Sequence, residues 1–175
     1  FVKTAGKGTW VSWHQDLPYW NLNTSNVVSV WLALTPSIKR SGSMKVILGS
    51  HLDGEVGTIK DIEGDVLAET GSGNRKSKPG NLLSHEQALD VEINEDDAID
   101  IELRPGQYSI HHGNIIHGGR PNLADYDRVG FVMRFISGKT FCKSGIDSAM
   151  LIQGNVHHNE FILENRPQTN FGSLE

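Results

Sequence analysis

The sequence predicts an all-β domain, an antiparallel sandwich or barrel, and three observations predict it. Several segments alternate or run apolar over strand-like lengths and end at turn residues. Helical periodicity is scarce, whereas glycine is abundant, at 19 residues. Many short strands with turn chemistry and little helix assemble into two packed sheets or a closed barrel. A chain of 175 residues with 37% hydrophobic side chains is long enough for one such domain with a sizeable core.

In chain order, residues 9–14 form the first expected strand. Residues 27–35 form the second; they are rich in Val and Leu around Trp31, and burial on both faces is expected. Residues 44–48 form a third. Residues 98–103 and 107–111 are joined by Arg104-Pro105-Gly106-Gln107, a tight-turn signal. The last strand is Arg128–Ile136. Residues 52–97 break this rhythm with Gly54, Gly57, Gly64 and a polar run from Gly71 to Gly80. An excursion of that length inside a compact domain points to a cover over a site, and a lid is expected there. The tail from residue 148 has weak patterning, with room for a short helix and a loose end.

Composition excludes several classes of function. A net charge of -5 with no basic patch argues against nucleic-acid binding. The longest strongly apolar run, residues 27–34, falls well short of the roughly 20 residues that span a bilayer, and no targeting peptide opens the chain. A single cysteine, Cys142, forbids an intrachain disulfide and fits a reducing compartment, so a cytoplasmic protein is expected, with the thiol packed rather than reactive. The chain begins at Phe1 and not Met, as a processed chain or a fragment would.

Three elements carry chemistry. In His14-Gln15-Asp16, residues two apart on a strand point the same way, so an imidazole and a carboxylate can meet one cation. Alone, such a pair arises by chance about as often as by design. The second element is the run from Ile110 to Asn122, where His117 is followed by Gly118 and Gly119. Two histidines and one carboxylate on one face of an octahedral metal leave three positions open, the facial triad of non-haem iron(II) oxygenases. The third is Arg128, eleven residues after His117. Its planar fork suits the far carboxylate of a 2-oxo diacid that chelates iron through its other end. A surface ion pair with Asp125 or Asp127 is the plain alternative.

These elements occur in a specific order with others: Trp13-His14-Gln15-Asp16, Val30-Trp31-Leu32-Ala33-Leu34, the stretch from Gly42 to Gly49-Ser50-His51, Leu103-Arg104-Pro105-Gly106, and His112-Gly113 through His117-Gly118-Gly119-Arg120-Pro121-Asn122 to Arg128. In this the chain resembles the phytanoyl-CoA dioxygenase-like family of iron(II)/2-oxoglutarate oxygenases, from about Gly8 to Gly154. The resemblance implies a double-stranded β-helix, a jelly-roll variant. It implies that His14, Asp16 and His117 hold Fe(II), that Arg128 grips 2-oxoglutarate, and that O2 is the oxidant. The implied reaction hydroxylates an unactivated C–H bond of a small molecule, with succinate and carbon dioxide as co-products. Asp16 further implies hydroxylation rather than halogenation, because halogenating relatives have a small residue in its place.

Two departures stand out. Many members carry Ser or Thr two residues after the distal histidine, where this chain has Gly119. Members also carry a largely helical portion before the His-x-Asp, whereas thirteen residues precede His14 here; the expectation is one catalytic jelly-roll domain, residues 1–175, without that portion.

Other residues admit two readings. Trp31 lines the cosubstrate pocket or is a core tryptophan. Tyr19 and Trp20 pack on substrate or staple the loop after Asp16. His112 is a group near the metal or a packed strand histidine, while His51, His111, His157 and His158 are expected to be structural or on the surface. At the level of the whole chain, a non-catalytic jelly roll that binds a small molecule is the main alternative. A cupin-like hydrolase or isomerase using zinc or manganese is a second, and Arg128 argues against it.

Overall fold

The structure is a computed structural model, and it describes residues 1–55, 80–83, 93–143, 145–156 and 161–166. Most of the 52–97 excursion, and with it the expected lid, lies outside the described residues, as do His157 and His158.

Ten strands are described: β1 (Val2–Lys3), β2 (Val11–His14), β3 (Val27–Ala33), β4 (Met44–Ile47), β5 (Ala98–Ile101), β6 (Tyr108–His112), β7 (His117–Gly119), β8 (Arg128–Ile136), β9 (Asp147–Ala149) and β10 (Phe161–Leu163). One four-stranded sheet has the order β1-β8-β3-β6 and a second the order β2-β7-β4-β5. Every pairing within these sheets is antiparallel, and successive strands alternate between them except that β4 and β5 are neighbours in one sheet, the connectivity of a double-stranded β-helix. The weakly patterned tail supplies β9 and β10, which pair in parallel as a separate ribbon.

The expected strands are present, most with trimmed ends; β6 is shifted one residue along, to Tyr108–His112, and β8 has its expected bounds. Burial of β3 differs from expectation. Its inward residues Val27, Ser29, Trp31 and Ala33 are buried, whereas Val28 is exposed and Val30 and Leu32 are only half-buried. The strand is central in its sheet, which explains its Val-rich composition, but the outer face of that sheet is open.

Between the sheets, Met44, Val46 and Ile115 form a small apolar cluster with Ile101 packed on it. Fully burying side chains of this kind stabilises by about 1.5–3 kcal/mol each. The rest of the interior is unusually polar. Lys3, His14, Ser29, His117, Asn122 and Arg128 are all buried, and buried polar groups of this density need partners or a guest.

Candidate metal centre

β2 ends at His14, and the chain then turns into a short helix, α1 (Leu17–Trp20). Pro18 occupies its first turn, where the missing N–H costs nothing. Asp16 is the N-cap residue in a helical conformation, so it reaches the same point as His14 through this turn and not by strand alternation. The turn is held from below. The backbone N–H groups of Asp16 and Leu17 both donate to the Gly113 carbonyl, each at 3.0 Å. The buried Gln15 amide donates to the Gly54 and Asn114 carbonyls at 2.8 and 2.7 Å.

His117 starts β7, opposite His14 of β2, and the two face the interior together. Ser50 fixes the approach to it: its hydroxyl donates to the Ile47 carbonyl and accepts the Ile116 N–H, both at 2.8 Å. Ser50 is thus the working part of Gly49-Ser50-His51, a role that the sequence reading did not assign.

The three predicted ligands converge. His14 Nε2 lies 3.5 Å and His117 Nε2 3.9 Å from the same oxygen, Asp16 Oδ1, and one ligand atom from each residue falls within 4.8 Å of the others. Each imidazole contacts a backbone carbonyl through Nδ1, His14 to Ser12 at 2.8 Å and His117 to Ile115 at 2.9 Å. A carbonyl only accepts, so Nδ1 carries the proton and the Nε2 lone pair is turned towards Asp16. That tautomer is the one a metal requires. Burial, reinforced by the charge of His14, pushes the His117 imidazole down to about 3, so it stays neutral. Burial opposes ionisation of Asp16, but the His14, His117 and Arg134 side chains around it outweigh this and hold the carboxyl below the usual range.

Arg128 is buried on the inner face of β8. Its Nε donates to Ser37 Oγ at 2.9 Å, and its guanidinium lies 4.4 Å from the centroid of the Trp31 ring. Gly130 makes this stacking possible, because a Cβ there would come within 2.0 Å of the indole. Trp31 therefore shapes the seat of Arg128 from β3. Arg128 makes no ion pair with Asp125 or Asp127 among the described residues.

Of the neighbouring histidines, His111 and not His112 faces the centre: its ring centroid is 5.4 Å from that of His117. His112 points to the other face, where Nδ1 accepts the Asn114 N–H and the ring lies near His51. Arg134, which the sequence did not single out, approaches Asp16 Oδ2 to 3.8 Å and stacks on Trp20 at 4.9 Å. Trp20 also packs on Gly113, so it staples the loop after Asp16. Tyr19 is held protonated by burial and by the charge of Asp16. Cys142 is partly buried, its thiol 3.6 Å from the Trp20 carbonyl.

On the same inner face, Ser29 Oγ, Ser109 Oγ and His111 Nδ1 are buried with no hydrogen-bond partner among the described residues. Together with a tautomer-locked triad, these orphaned groups fit a metal with a polar chelate beside it.

The family model for phytanoyl-CoA dioxygenase (PhyH) matches residues 1–130. The chain belongs to this family. A curated relative, the phytanoyl-CoA dioxygenase domain-containing protein 1 homolog of Dictyostelium discoideum, is 24% identical over 125 residues, covering 71% of this chain and 40% of the relative. The apo structure of ThoJ, a non-heme monooxygenase, superposes with a TM-score of 0.75 at 29% identity, over 97% of this chain and 55% of that one. EvdO2 from Micromonospora carbonacea var. aurantiaca, complexed with 2-oxoglutarate, matches with a TM-score of 0.53 at 21% identity, over 76% of this chain and 47% of that one, and shares the fold. The PhyH chain described here thus spans about half the length of the proteins it matches, or less.

Proposed function

We propose that residues 1–175 form one catalytic jelly-roll domain of an iron(II)- and 2-oxoglutarate-dependent dioxygenase that hydroxylates an unactivated C–H bond of a small molecule. His14, Asp16 and His117 would hold the metal, Arg128 the distal carboxylate of 2-oxoglutarate, and Trp31 one wall of its pocket. The observation that carries the reading is the pair of imidazoles whose Nδ1–H groups are tied to carbonyls while both Nε2 atoms approach one Asp16 oxygen. Iron(II), when bound, supplies the redox chemistry that turns 2-oxoglutarate and dioxygen into succinate, carbon dioxide and an equivalent able to oxidise a C–H bond.

The chain's own residues orient and exclude. Three protein ligands leave coordination positions for a chelate and for dioxygen. Trp31 and Gly130 hold the guanidinium of Arg128 in place before any ligand arrives, which reduces the ordering cost of binding. Asp16 puts a carboxylate where halogenating relatives have a small residue, which supports hydroxylation.

The test is anaerobic titration of the metal-free chain with iron(II) and 2-oxoglutarate, followed by exposure to air. The expected result is a weak visible chelate band, absent in Asp16→Ala, and then stoichiometric succinate. A protein that binds neither ligand supports the alternative of a non-catalytic jelly roll. Chlorinated product in the presence of chloride, with no hydroxylated product, overturns the assignment of the reaction.

A further inference from the structure

Lys3 is fully buried and, with Lys45, is among the largest side chains to be so among the described residues. Its place in the fold explains how. β1 pairs with the end of β8, and Lys3 is the cross-strand partner of Arg128, so both side chains point between the sheets. Lys3 reaches across to the opposite sheet, where Nζ donates to the Gly42 and Arg120 carbonyls at 3.0 and 2.7 Å. Asn122 anchors its backbone by donating to the Lys3 carbonyl at 2.8 Å.

Neither cation is saturated by the described residues. An ammonium has three donors, and two of those of Lys3 are used. Arg128 spends only Nε, on Ser37, which leaves both terminal nitrogens without a partner among the described residues. No described carboxylate pairs with either one. The electrostatic strain is visible on both: burial and the charge of Arg128 push Lys3 down to about 7, and burial pushes Arg128 down to about 10. Two adjacent buried cations without a counter-charge are costly, and a bound anion relieves them.

Gly119 makes room for the ammonium. A Cβ at Gly119 would come within 2.6 Å of Lys3 Nζ, so the ammonium fills the space of the missing side chain. Gly119 is two residues beyond His117 on β7 and faces the same way, about 6.6 Å further along the strand. The Lys3 ammonium therefore lies on the inner face that carries His117, displaced along β7 from it.

We propose that Lys3 is a second cation of the carboxylate clamp, donating its third N–H to the distal carboxylate that Arg128 grips. The assignment rests on the reading that the interior takes 2-oxoglutarate beside a metal, and it adds a specificity-determining residue to that reading. The two cations together would select a dianionic 2-oxo acid over a monoanionic one.

The test compares, on the metal-loaded full chain without oxygen, the Kd of 2-oxoglutarate with that of 2-oxobutanoate, which has the same chelating end and no distal carboxylate. In Lys3→Met the Kd of 2-oxoglutarate should rise about ten- to hundredfold, the worth of a charged hydrogen bond, while that of 2-oxobutanoate stays unchanged. A merely structural lysine would weaken both acids equally or neither, and either result overturns the proposal. Gly119→Ala keeps the lysine but crowds its ammonium, and it should narrow the preference for 2-oxoglutarate in the same sense. If Lys3→Met does not fold, an unchanged preference in Gly119→Ala overturns the proposal instead. A wild-type protein that loads metal but binds neither acid removes the underlying reading, which a failure confined to the variants leaves standing.

Discussion

A buried ammonium with no carboxylate beside it makes stability depend on pH. Lys3 has a pKa of about 7 in the fold against 10.5 as its ordinary value. Below about 7 both the folded and unfolded chains carry the proton, and the penalty for burying it is fully present. Between about 7 and 10.5 the unfolded chain binds more protons than the folded one, so stability rises with pH through this window. Lys3→Met removes that titration. In the absence of metal and 2-oxo acid, the unfolding free energy of wild type minus that of Lys3→Met should therefore increase from pH 6.5 to pH 9. A difference that is flat across those denaturation curves would place the ammonium in a more favourable setting than the structure shows. The sequence exposed His14, Asp16, His117 and Arg128 because their residue types and spacing are rare in combination. Lys3 had no such signature: a single lysine in a two-residue strand becomes an interior group only by pairing with a residue 125 positions away. His111 and Arg134 were hidden for a related reason. Neighbouring residues on a strand face opposite ways, and only the register of the sheet decides that His111 turns inward and His112 outward.

At the scale of elements, the centre depends on the junction between β2 and α1. Asp16 is a ligand candidate only while the turn keeps its shape, and the turn hangs on Gln15, whose amide joins Gly54 and Asn114 from a fully buried position. Gln15→Ala removes the amide donor from the buried Asn114 carbonyl and the part-buried Gly54 carbonyl. A loss of about 1–3 kcal/mol in unfolding free energy is expected, together with weaker metal binding, because a displaced carboxylate loosens the triad. Calorimetric titration with iron(II) or a redox-inert stand-in reads the second effect. Loss of stability with unchanged metal affinity would show that Asp16 is positioned by the Gly113 carbonyl alone. The long strands were legible because Val, Ile, Phe and Trp mark them. β7 was not, since His-Gly-Gly has no strand propensity. It joins the sheet because β2 and β4 both need a partner, and Gly118 lets the Val11 and Ser12 carbonyls approach to 3.2 and 3.3 Å of where a Cβ would stand. The cue for α1 was Asp16-Leu17-Pro18, a helix start masked by the metal-ligand reading of the same aspartate.

For the whole molecule, the usual disposition of polarity is partly inverted. The space between the sheets holds charged and hydroxyl side chains, while the outer face of the β1-β8-β3-β6 sheet carries Val28, Leu34, Tyr108, Ile110, Phe131 and Phe135, all exposed. Register places them side by side: Tyr108 and Phe131 flank Leu32, and Ile110 and Met133 flank Val30. Average composition hides this, because 37% hydrophobic residues is the same figure whichever face they occupy. An apolar surface of this continuity attracts other apolar surfaces, so the chain by itself should bind a hydrophobic dye while fully folded and should associate as its concentration rises. Ile110→Thr with Phe131→Thr keeps strand propensity while removing much of the patch. The paired variant should bind less dye and associate less, with metal affinity unchanged, since neither side chain faces the triad. Lower metal affinity in the folded variant would mean that the outer face supports the centre through the sheet, and that the polar interior is held in shape by the apolar side chains behind it.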